Sequence, residues 1–511
     1  MLDVDIFHNL ILGFQVATTW QNLLFCLIGV TIGTLIGVLP GIGPTTGIAI
    51  LIPVTFGMSA TTAIITMAGI YYGAMYGGST TSILINLPGE SASVMTMLDG
   101  YQMARKGRAG PALGMAALAS FIAGTFSIIM LTLIAPPLAS YAVSFGPPEY
   151  FALTFMGLTL VSALGGDNPL KAYISAVVGL LVACIGIDAI SGVARFTFDD
   201  ANLLDGVGFI GMAIGLFAIS EILVNIEEPM KQVFSDAKLG FMSLFPNRQD
   251  WKDSFGALWR GSVLGFFIGT LPGSGATLCS FIAYAVEKKV SKHPEKFGTG
   301  VIEGVAAPEG ANNSAAGGGM VPLLTLGIPS GGATAVMLGA LMIHGLRPGP
   351  MLFSTNPEFV WGLIASMYIG NVFLIILNMP LIGIWVQLLK VPYKVLMPLI
   401  LTIAATGIFA TDNNIFDMWI MFFFGLVGYV MRKLGFPAAP MVLALVLGRL
   451  VEMSLRQSLT ISHGSISIFF NRPISGVLMV VALLSLFSPL IHSLWVRYKS
   501  GKEKDFTPSE W

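Results

Sequence analysis

The stretch Gly33-Thr34-Leu35-Ile36-Gly37-Val38-Leu39-Pro40-Gly41-Ile42-Gly43 occurs a second time as Gly265-Phe266-Phe267-Ile268-Gly269-Thr270-Leu271-Pro272-Gly273-Ser274-Gly275. Leu39, Pro40 and Gly41 map onto Leu271, Pro272 and Gly273 at one offset, 271 minus 39, or 232. In both copies an apolar, glycine-rich helix runs into Pro-Gly inside sequence that otherwise reads as membrane-spanning. A helix that stops at membrane depth leaves backbone groups unpaired, and only protein or a water-filled cavity can cover them. Paired breaks in a duplicated chain point to a secondary transporter and to its substrate site near the midplane.

Composition sets the class. Of 511 residues, 55% are hydrophobic and 10% charged, against about 25% charged in an ordinary soluble domain. With a mean hydropathy of +0.81, the chain reads as an all-α polytopic membrane protein. Its 60 glycines, where average usage would give about 36, suit close helix packing and sharp interruptions. The balance of 26 basic and 27 acidic residues leaves no footprint for nucleic acid. Cys26, Cys184 and Cys279 stand singly in apolar stretches and read as buried thiols, and no metal site is expected. The start, Met1-Leu2-Asp3-Val4-Asp5, has no basic n-region, so no removable signal peptide is expected.

Loop charge sets the orientation. Residues 1–28 and the link Phe56 to Ala60 carry no Lys or Arg and read as outside; the link Asp99 to Gly110, with Arg105, Lys106 and Arg108, reads as inside. The second copy has the opposite character: Lys231, Lys238, Arg248, Lys252 and Arg260 precede it, and Lys288, Lys289, Lys292 and Lys296 follow its first break. Two inverted-topology repeats are therefore expected. The first covers 1–226, with hairpins near 29–56 and 76–98. An amphipathic cytoplasmic linker covers 227–260. The second repeat covers 261–496, with hairpins near 261–286 and 315–343, and a cytoplasmic tail covers 497–511. About ten residues on each side of the Leu271 to Gly275 turn are too few to cross a bilayer twice, so a re-entrant hairpin is expected there, with 29–56 as its mirror. Further spans are expected at Ala112 to Ala135, Pro147 to Leu164, Ala172 to Ile190 and Gly206 to Val224. After the second block they are expected near Phe359 to Leu389, Val395 to Ala410, Ile415 to Met431, Pro437 to Leu447 and Ser475 to Val496.

Each half holds a second interruption, Tyr76 to Ser91 in the first and Gly317 to Thr334 in the second, with Leu87-Pro88 matching Ile328-Pro329 at an offset of 241. Four broken segments should meet near the midplane. Helix N-termini there present unpaired N–H groups and the positive end of the helix dipole, a ready anion site. The candidate substrate residues are Pro40, Gly41, Gly43, Thr45 and Thr46; Ser79, Thr80, Thr81 and Asn86; Pro272, Gly273, Ser274, Gly275 and Thr277; and Pro329, Ser330 and Gly331. No Lys or Arg lies in these loops, so the expected site works through N–H and O–H donors. The bland alternative is that the turns and hydroxyls only serve tight packing.

A second constellation is Glu309 with Asn312 and Asn313, one carboxylate and two amides on one helical face, with Glu303 further out. A carboxylate inside a span defaults to an ion or proton pathway; Na+ or H+ is the possible coupling ion, and an interhelical polar clasp is the alternative. Asp99 is expected to cap a helix or pair with Arg105. Asp167, Asp188, Glu221 and Asp412 read as solvated groups at span ends. Arg347 reads as an interfacial anchor, with steering of an anion at the outer mouth as the alternative. No nucleotide loop, nucleophile elbow or metal motif is present, and no cofactor is expected.

Gly37 to Pro44, Tyr72 to Leu84 with Asn86-Leu-Pro-Gly-Glu90, and Glu303 to Asn313 resemble the large membrane subunit of the bacterial tripartite tricarboxylate transporters, a likeness that runs from about Val30 to Arg472. Gly310 replaces the family's usual alanine and leaves the carboxylate and both amides in place. The resemblance implies a multi-pass importer of di- and tricarboxylates in the bacterial inner membrane. It also implies a cation gradient as the drive, a small four-span membrane subunit, and a periplasmic solute-binding protein that delivers the substrate. Two rivals make opposite demands. A passive organic-anion channel needs no coupling carboxylate, and an intramembrane enzyme needs a nucleophile, base and metal at matched depth.

Overall fold

A computed structural model of the protein describes residues 6–39, 43–164, 168–188, 190–227, 240–388 and 393–487. The first group of helices is α1 (Ile6–Ala17), α2 (Trp20–Val38), α3 (Pro44–Leu51), α4 (Ala60–Ile85), α5 (Val94–Arg105) and α6 (Ala109–Ala142). Then come α7 (Pro147–Leu164), α8 (Pro169–Ala183) and α9 (Phe209–Glu227), the last carrying a π turn at Gly215–Ile219. The second block brings α10 (Arg248–Gly269), α11 (Gly275–Val290), α12 (Glu303–Leu326), α13 (Gly332–Ile343) and α14 (Pro357–Asn378). It is followed by α15 (Tyr393–Asp412), α16 (Ile415–Lys433) and α17 (Ala439–Ile461). Among the described residues, α2, α6, α9, α14 and α16 are long and apolar enough to cross a bilayer. The chain is a multi-pass, all-α membrane protein; among the described residues the one small sheet is the two-residue ladder Gly186–Ile187 against Ala194–Arg195.

The centre is two helix pairs built alike. Glycines at four-residue spacing put one bare stripe on a helix, and backbones then touch. Gly29, Gly33 and Gly37 of α2 rest on the backbone of Thr66, Ile70 and Ala74 of α4. Gly261, Gly265 and Gly269 of α10 rest on Ala307, Ala311 and Ala315 of α12. From the other side, Gly77 of α4 meets the Thr34 carbonyl and Gly318 of α12 meets that of Phe266. Every one of these contacts recurs at offsets of 232 for the first helix and 241 for the second, the offsets of the two sequence motifs. α6 lies along α12, and α14 packs on α1, α2, α4 and α6; α8 and α7 pack on α17, and α9 packs on α16.

The hairpin α10–α11 has longer arms than its motif suggested, 22 and 16 residues. The sequence around Arg248 starts its own helix, because Asn247 caps it and Asp250 closes a capping box. The arms close on each other where Arg260 grips Glu287 through two hydrogen bonds of 2.8 and 2.7 Å. The expected linker is thus partly helix, while its residues 228–239, and the tail 497–511, lie outside the described residues.

The span expected at Ala172 to Ile190 stops early. Gly186 takes φ +113°, and Asp188 accepts the N–H groups of Ile190 and Ser191 at 2.9 and 2.6 Å, which turns the chain into the small ladder. Asp188 is not solvated; it is buried and paired with Arg195 and Arg456. Asp167 and the side chain of Asp412 lie outside the described residues. Asp99 also differs from expectation. Its partners are the N–H groups of Gly298, Gly300 and Val301 at 2.7–3.0 Å and the Tyr284 hydroxyl at 2.8 Å, so α5 is clasped to the loop that leads into α12.

Candidate functional site

Four chain breaks converge on one cavity of about 800 Å³. In the first, α3 restarts with Pro44 at its first helical position, where a missing N–H costs nothing, and Gly43, Thr45 and Thr46 face the cavity. In the second, α4 ends on Asn86 in the left-handed region at φ +58°, and Pro88, Gly89, Glu90 and Ser91 line the space. In the third, Gly273 at φ +82° turns the chain after Leu271, and Gly273, Ser274, Gly275 and Thr277 line it. In the fourth, α12 ends on Gly327 at φ +70° and α13 restarts at Gly332, with Gly331 and Gly332 in the wall.

Contacts between the breaks pair off across the cavity. Thr277 Oγ1 lies 2.7 Å from Ser91 Oγ. Thr45 Oγ1, 232 positions before Thr277, lies beside Gly332, 241 positions after Ser91; a Cβ on Gly332 would stand 3.0 Å from it. Within the second half, the Gly275 N–H donates to the Ser330 carbonyl at 2.9 Å. Ser93 accepts from the Glu90 N–H at 3.4 Å and Thr334 accepts from the Gly331 N–H at 2.9 Å, one turn closed the same way in both halves.

The remaining wall comes from distant helices. Phe217 sits in the π turn of α9, a local unwinding that frequently marks functional sites. Thr46 Oγ1 donates to the Phe217 carbonyl at 3.4 Å. Arg432 of α16 lines the cavity and is ion-paired with Glu221 of α9, which is buried. The wall therefore holds a fixed cation that no break contains, contrary to expectation, and Glu221 is no solvated span end. Leu278 and Phe281 of α11 and Ala439 and Pro440 of α17 complete it.

Several candidate residues stand elsewhere. Ser79, Thr80 and Thr81 are buried inside α4 and do not line the cavity. Asn86, Pro272, Pro329 and Ser330 shape the turns without entering the wall. Pro40 and Gly41 lie outside the described residues. Arg347 is not in the wall either.

Glu309 sits apart from the cavity wall and is fully buried. Thr96 of α5 donates to its Oε1, and Ser120 of α6 donates to its Oε2 at 3.2 Å. Asn313 Nδ2 donates to Ser120 Oγ at 2.7 Å and to the Glu309 carbonyl at 3.1 Å, and Asn312 Oδ1 accepts from the same amide. Asn312 Nδ2 and Ser79 Oγ are buried beside this group with no hydrogen bond of ordinary geometry. Buried polar atoms without partners are uncommon in folded proteins and ask for an ion, water or functional explanation. Beyond Asn313, a void of about 20 Å³ lined by Tyr72, Tyr76 and Asn371 has room for one water-sized species. Glu303 opens α12, six residues and about 9 Å of helical rise before Glu309, and takes no part in the cluster.

Residues 23–443 match the model of the tripartite tricarboxylate transporter TctA family. The chain belongs to that family. It is 46% identical over 510 residues, 99% of this chain and all of the relative, to a protein of Agrobacterium vitis described as an uncharacterized 52.8 kDa protein in the TAR-I ttuC' 3' region. A second Agrobacterium vitis protein, from the TAR-II ttuC' 3' region, is 45% identical over 230 residues, 45% of this chain and 95% of that protein. No solved structure matches. Membership in the TctA family makes the chain a membrane subunit of a tripartite transporter, one component among several.

Sequence reasoning about this TctA family chain missed Glu90, Ser91, Phe217, Glu221 and Arg432. Glu90 and Ser91 directly follow Pro88-Gly89, and a carboxylate at a helix break is the signal that marks them. Glu221 and Arg432 are 211 positions apart, 432 minus 221, and only folding makes them neighbours.

Proposed function

We propose that this chain imports di- or tricarboxylates across the bacterial inner membrane by cation-coupled symport. Its partners in this reading are a small four-span membrane subunit and a periplasmic binding protein that hands over the substrate. The observation that carries the reading is the convergence of four helix breaks on one cavity with hydroxyls, helix-start amides and one arginine in its wall. An anion finds donors there at helix N-termini, and the volume holds a small polycarboxylate with room to spare.

The two halves are read as inverted repeats. In support, the glycine contacts of α2 with α4 and of α10 with α12 recur at the motif offsets, and loop charge flips between the copies. On the same reading the cavity faces the cytoplasm. It extends along α11 to Phe281 and toward Arg432, near the basic helix ends. On this reading the outward side is shut where Thr55 Oγ1 bonds His344 Nε2 at 3.0 Å and Phe56 stacks on the same imidazole. The Glu309 cluster, with its spare polar atoms, is the reading's coupling site for Na+ or H+.

The test is uptake by proteoliposomes containing this chain with its partner subunit and binding protein, across a panel of carboxylates and imposed ion gradients. Accumulation against the substrate's own gradient supports the symporter. Equilibration only, independent of any ion gradient, would make it a passive anion channel instead.

A further inference from the structure

Glu90 poses a problem that the cavity reading does not solve. It lines the proposed anion site, is 5% exposed, and carries a carboxyl of which only one oxygen is used. The carboxyl caps the turn that follows it, Oε2 accepting the Ala92 N–H at 2.7 Å with the Ser93 N–H also drawn to the carboxyl, while Oε1 is buried with no partner. An ionised carboxylate in that position would stand beside an incoming carboxylate, and like charges that close repel.

The seat is built for this side chain. A Cβ on Gly78 would come within 2.7 Å of Glu90 Cγ, so only glycine there leaves room. Gly89 is pressed against the Gly37 carbonyl, and a Cβ on it would meet Gly78 Cα and Thr81 Oγ1 at 2.6 Å. Capping alone does not require an acid here. At the corresponding place in the second half, 241 positions on, stands Gly331, and Thr334 closes its turn as Ser93 closes that of Glu90. One half makes the turn with no side chain at all, so the carboxyl of the other half is an addition to it. Two neighbouring hydroxyls turn their hydrogens elsewhere: Ser82 donates to Ser93 at 2.8 Å, and Thr81 donates to the Gly78 carbonyl at 3.2 Å. A proton needs only the one free oxygen.

We propose that Glu90 binds the cargo as a neutral carboxylic acid, its carboxyl turning from the buried seat to donate its O–H to a substrate carboxylate, so that one proton occupies the cavity together with the anion. This rests on the cavity being the carboxylate site. The ionisable groups beside Glu90 are Tyr71 of α4, with Cys279 of α11 next to it, and Glu309 of α12, with Glu221 and Arg432 across the cavity; Asp99, on α5, is held by the 298–301 loop. None of them is hydrogen-bonded to the free oxygen.

The experiment is calorimetric titration of the full chain in lipid nanodiscs with succinate and citrate, from about pH 7.5 to about pH 9.5, where these ligands are fully ionised. Protonation-linked binding weakens by up to about tenfold per pH unit, and titrations in two buffers of different ionisation enthalpy report the protons exchanged. The wild type is expected to lose affinity as pH rises and to take up about one proton per ligand at the upper end. E90Q keeps a donor and carries no charge. It is expected to show a flat profile and no proton uptake, and to bind about tenfold tighter than wild type at the highest pH. E90A, with the donor gone, is expected to bind about tenfold weaker than E90Q throughout. Wild-type binding with no pH dependence and no proton uptake overturns the proposal, as does E90Q that keeps the wild-type slope or binds no better than E90A. Should E90Q fail to fold, E90A decides in its place: it is expected to lose the proton uptake, and E90A that keeps it overturns the proposal. Absence of binding by the wild type to any ligand in the panel overturns the cavity reading itself, a result distinct from binding without a proton.

Discussion

Replacing Asp99 by Ala should open the clasp between α5 and the loop leading into α12. The side chain is fully buried and accepts three backbone N–H groups and one phenol hydroxyl. An orphaned buried donor costs about 1–3 kcal/mol. Gly298 is exposed and Gly300 and Val301 are half-buried, so water reaches these amides and the low end applies. Three amides at about 1 kcal/mol and the Tyr284 hydroxyl at a little less give about 4 kcal/mol. Asn in the same place keeps an oxygen where Oδ1 now serves Gly298, Gly300 and Val301, and Tyr284 can rotate its hydroxyl to accept from the new amide. Asp99→Asn should therefore cost only about 1–2 kcal/mol. Hydrogen-exchange mass spectrometry on peptides covering 296–302 reads the local opening free energy. Protection there should fall by about a thousandfold for Ala and by about tenfold for Asn, at about 1.4 kcal/mol per tenfold. Equal protection in wild type and the Ala variant would refute the reasoning.

Other outcomes follow from the same contacts. Arg432→Gln removes the one cation in the cavity wall; losing a charge-assisted bond of about 1.5–3 kcal/mol should raise the KM for carboxylate uptake by roughly tenfold to a hundredfold, with insertion into the membrane unchanged. Thr46→Ala and Thr277→Ala each remove a wall hydroxyl and should weaken uptake by about threefold to tenfold; unaltered kinetics in both would count against the site. Glu309→Gln should abolish accumulation driven by an imposed Na+ or H+ gradient while downhill flux persists, measured in proteoliposomes. At the end of α8, the Ser191 N–H first of all, then that of Ile190 and the Arg456 guanidinium, hold the Asp188 carboxyl well below the usual carboxylate range. A depressed folded value means the hairpin's stability is fully present above the ordinary value of about 3.9 and is lost as pH falls through the lower folded one. Exchange protection at 190–195 should thus stay level from neutral pH down to about 4.5, and drop in Asp188→Asn at any pH.

The breaks and the helix pairs were legible because they are local. Pro-Gly ends a helix wherever it stands, and glycines at 29, 33 and 37 mark one face before any partner is known. The wall of the site was legible only in part. Hydroxyls at positions 45, 46 and 277 follow a break directly and turn toward the space it opens, whereas Ser79, Thr80 and Thr81 precede the break and remain inside a packed helix. Arg432 and Glu221 read as ordinary span ends, since basic residues at a helix C-terminus are explained well enough by orientation alone. Asp99 was misassigned because Arg105 is close in sequence and the amides of Gly298 to Val301 are not.

Where α2 meets α4, and where α10 meets α12, main chain lies on main chain with no side chain between. Such a seam has no cushion: sliding it by half a residue would drive a carbonyl oxygen into the neighbouring Cα. Each pair must travel as a stiff plate, and any crease has to fall in the short links beside them, such as that around Gly57, where a Cβ would meet only open space.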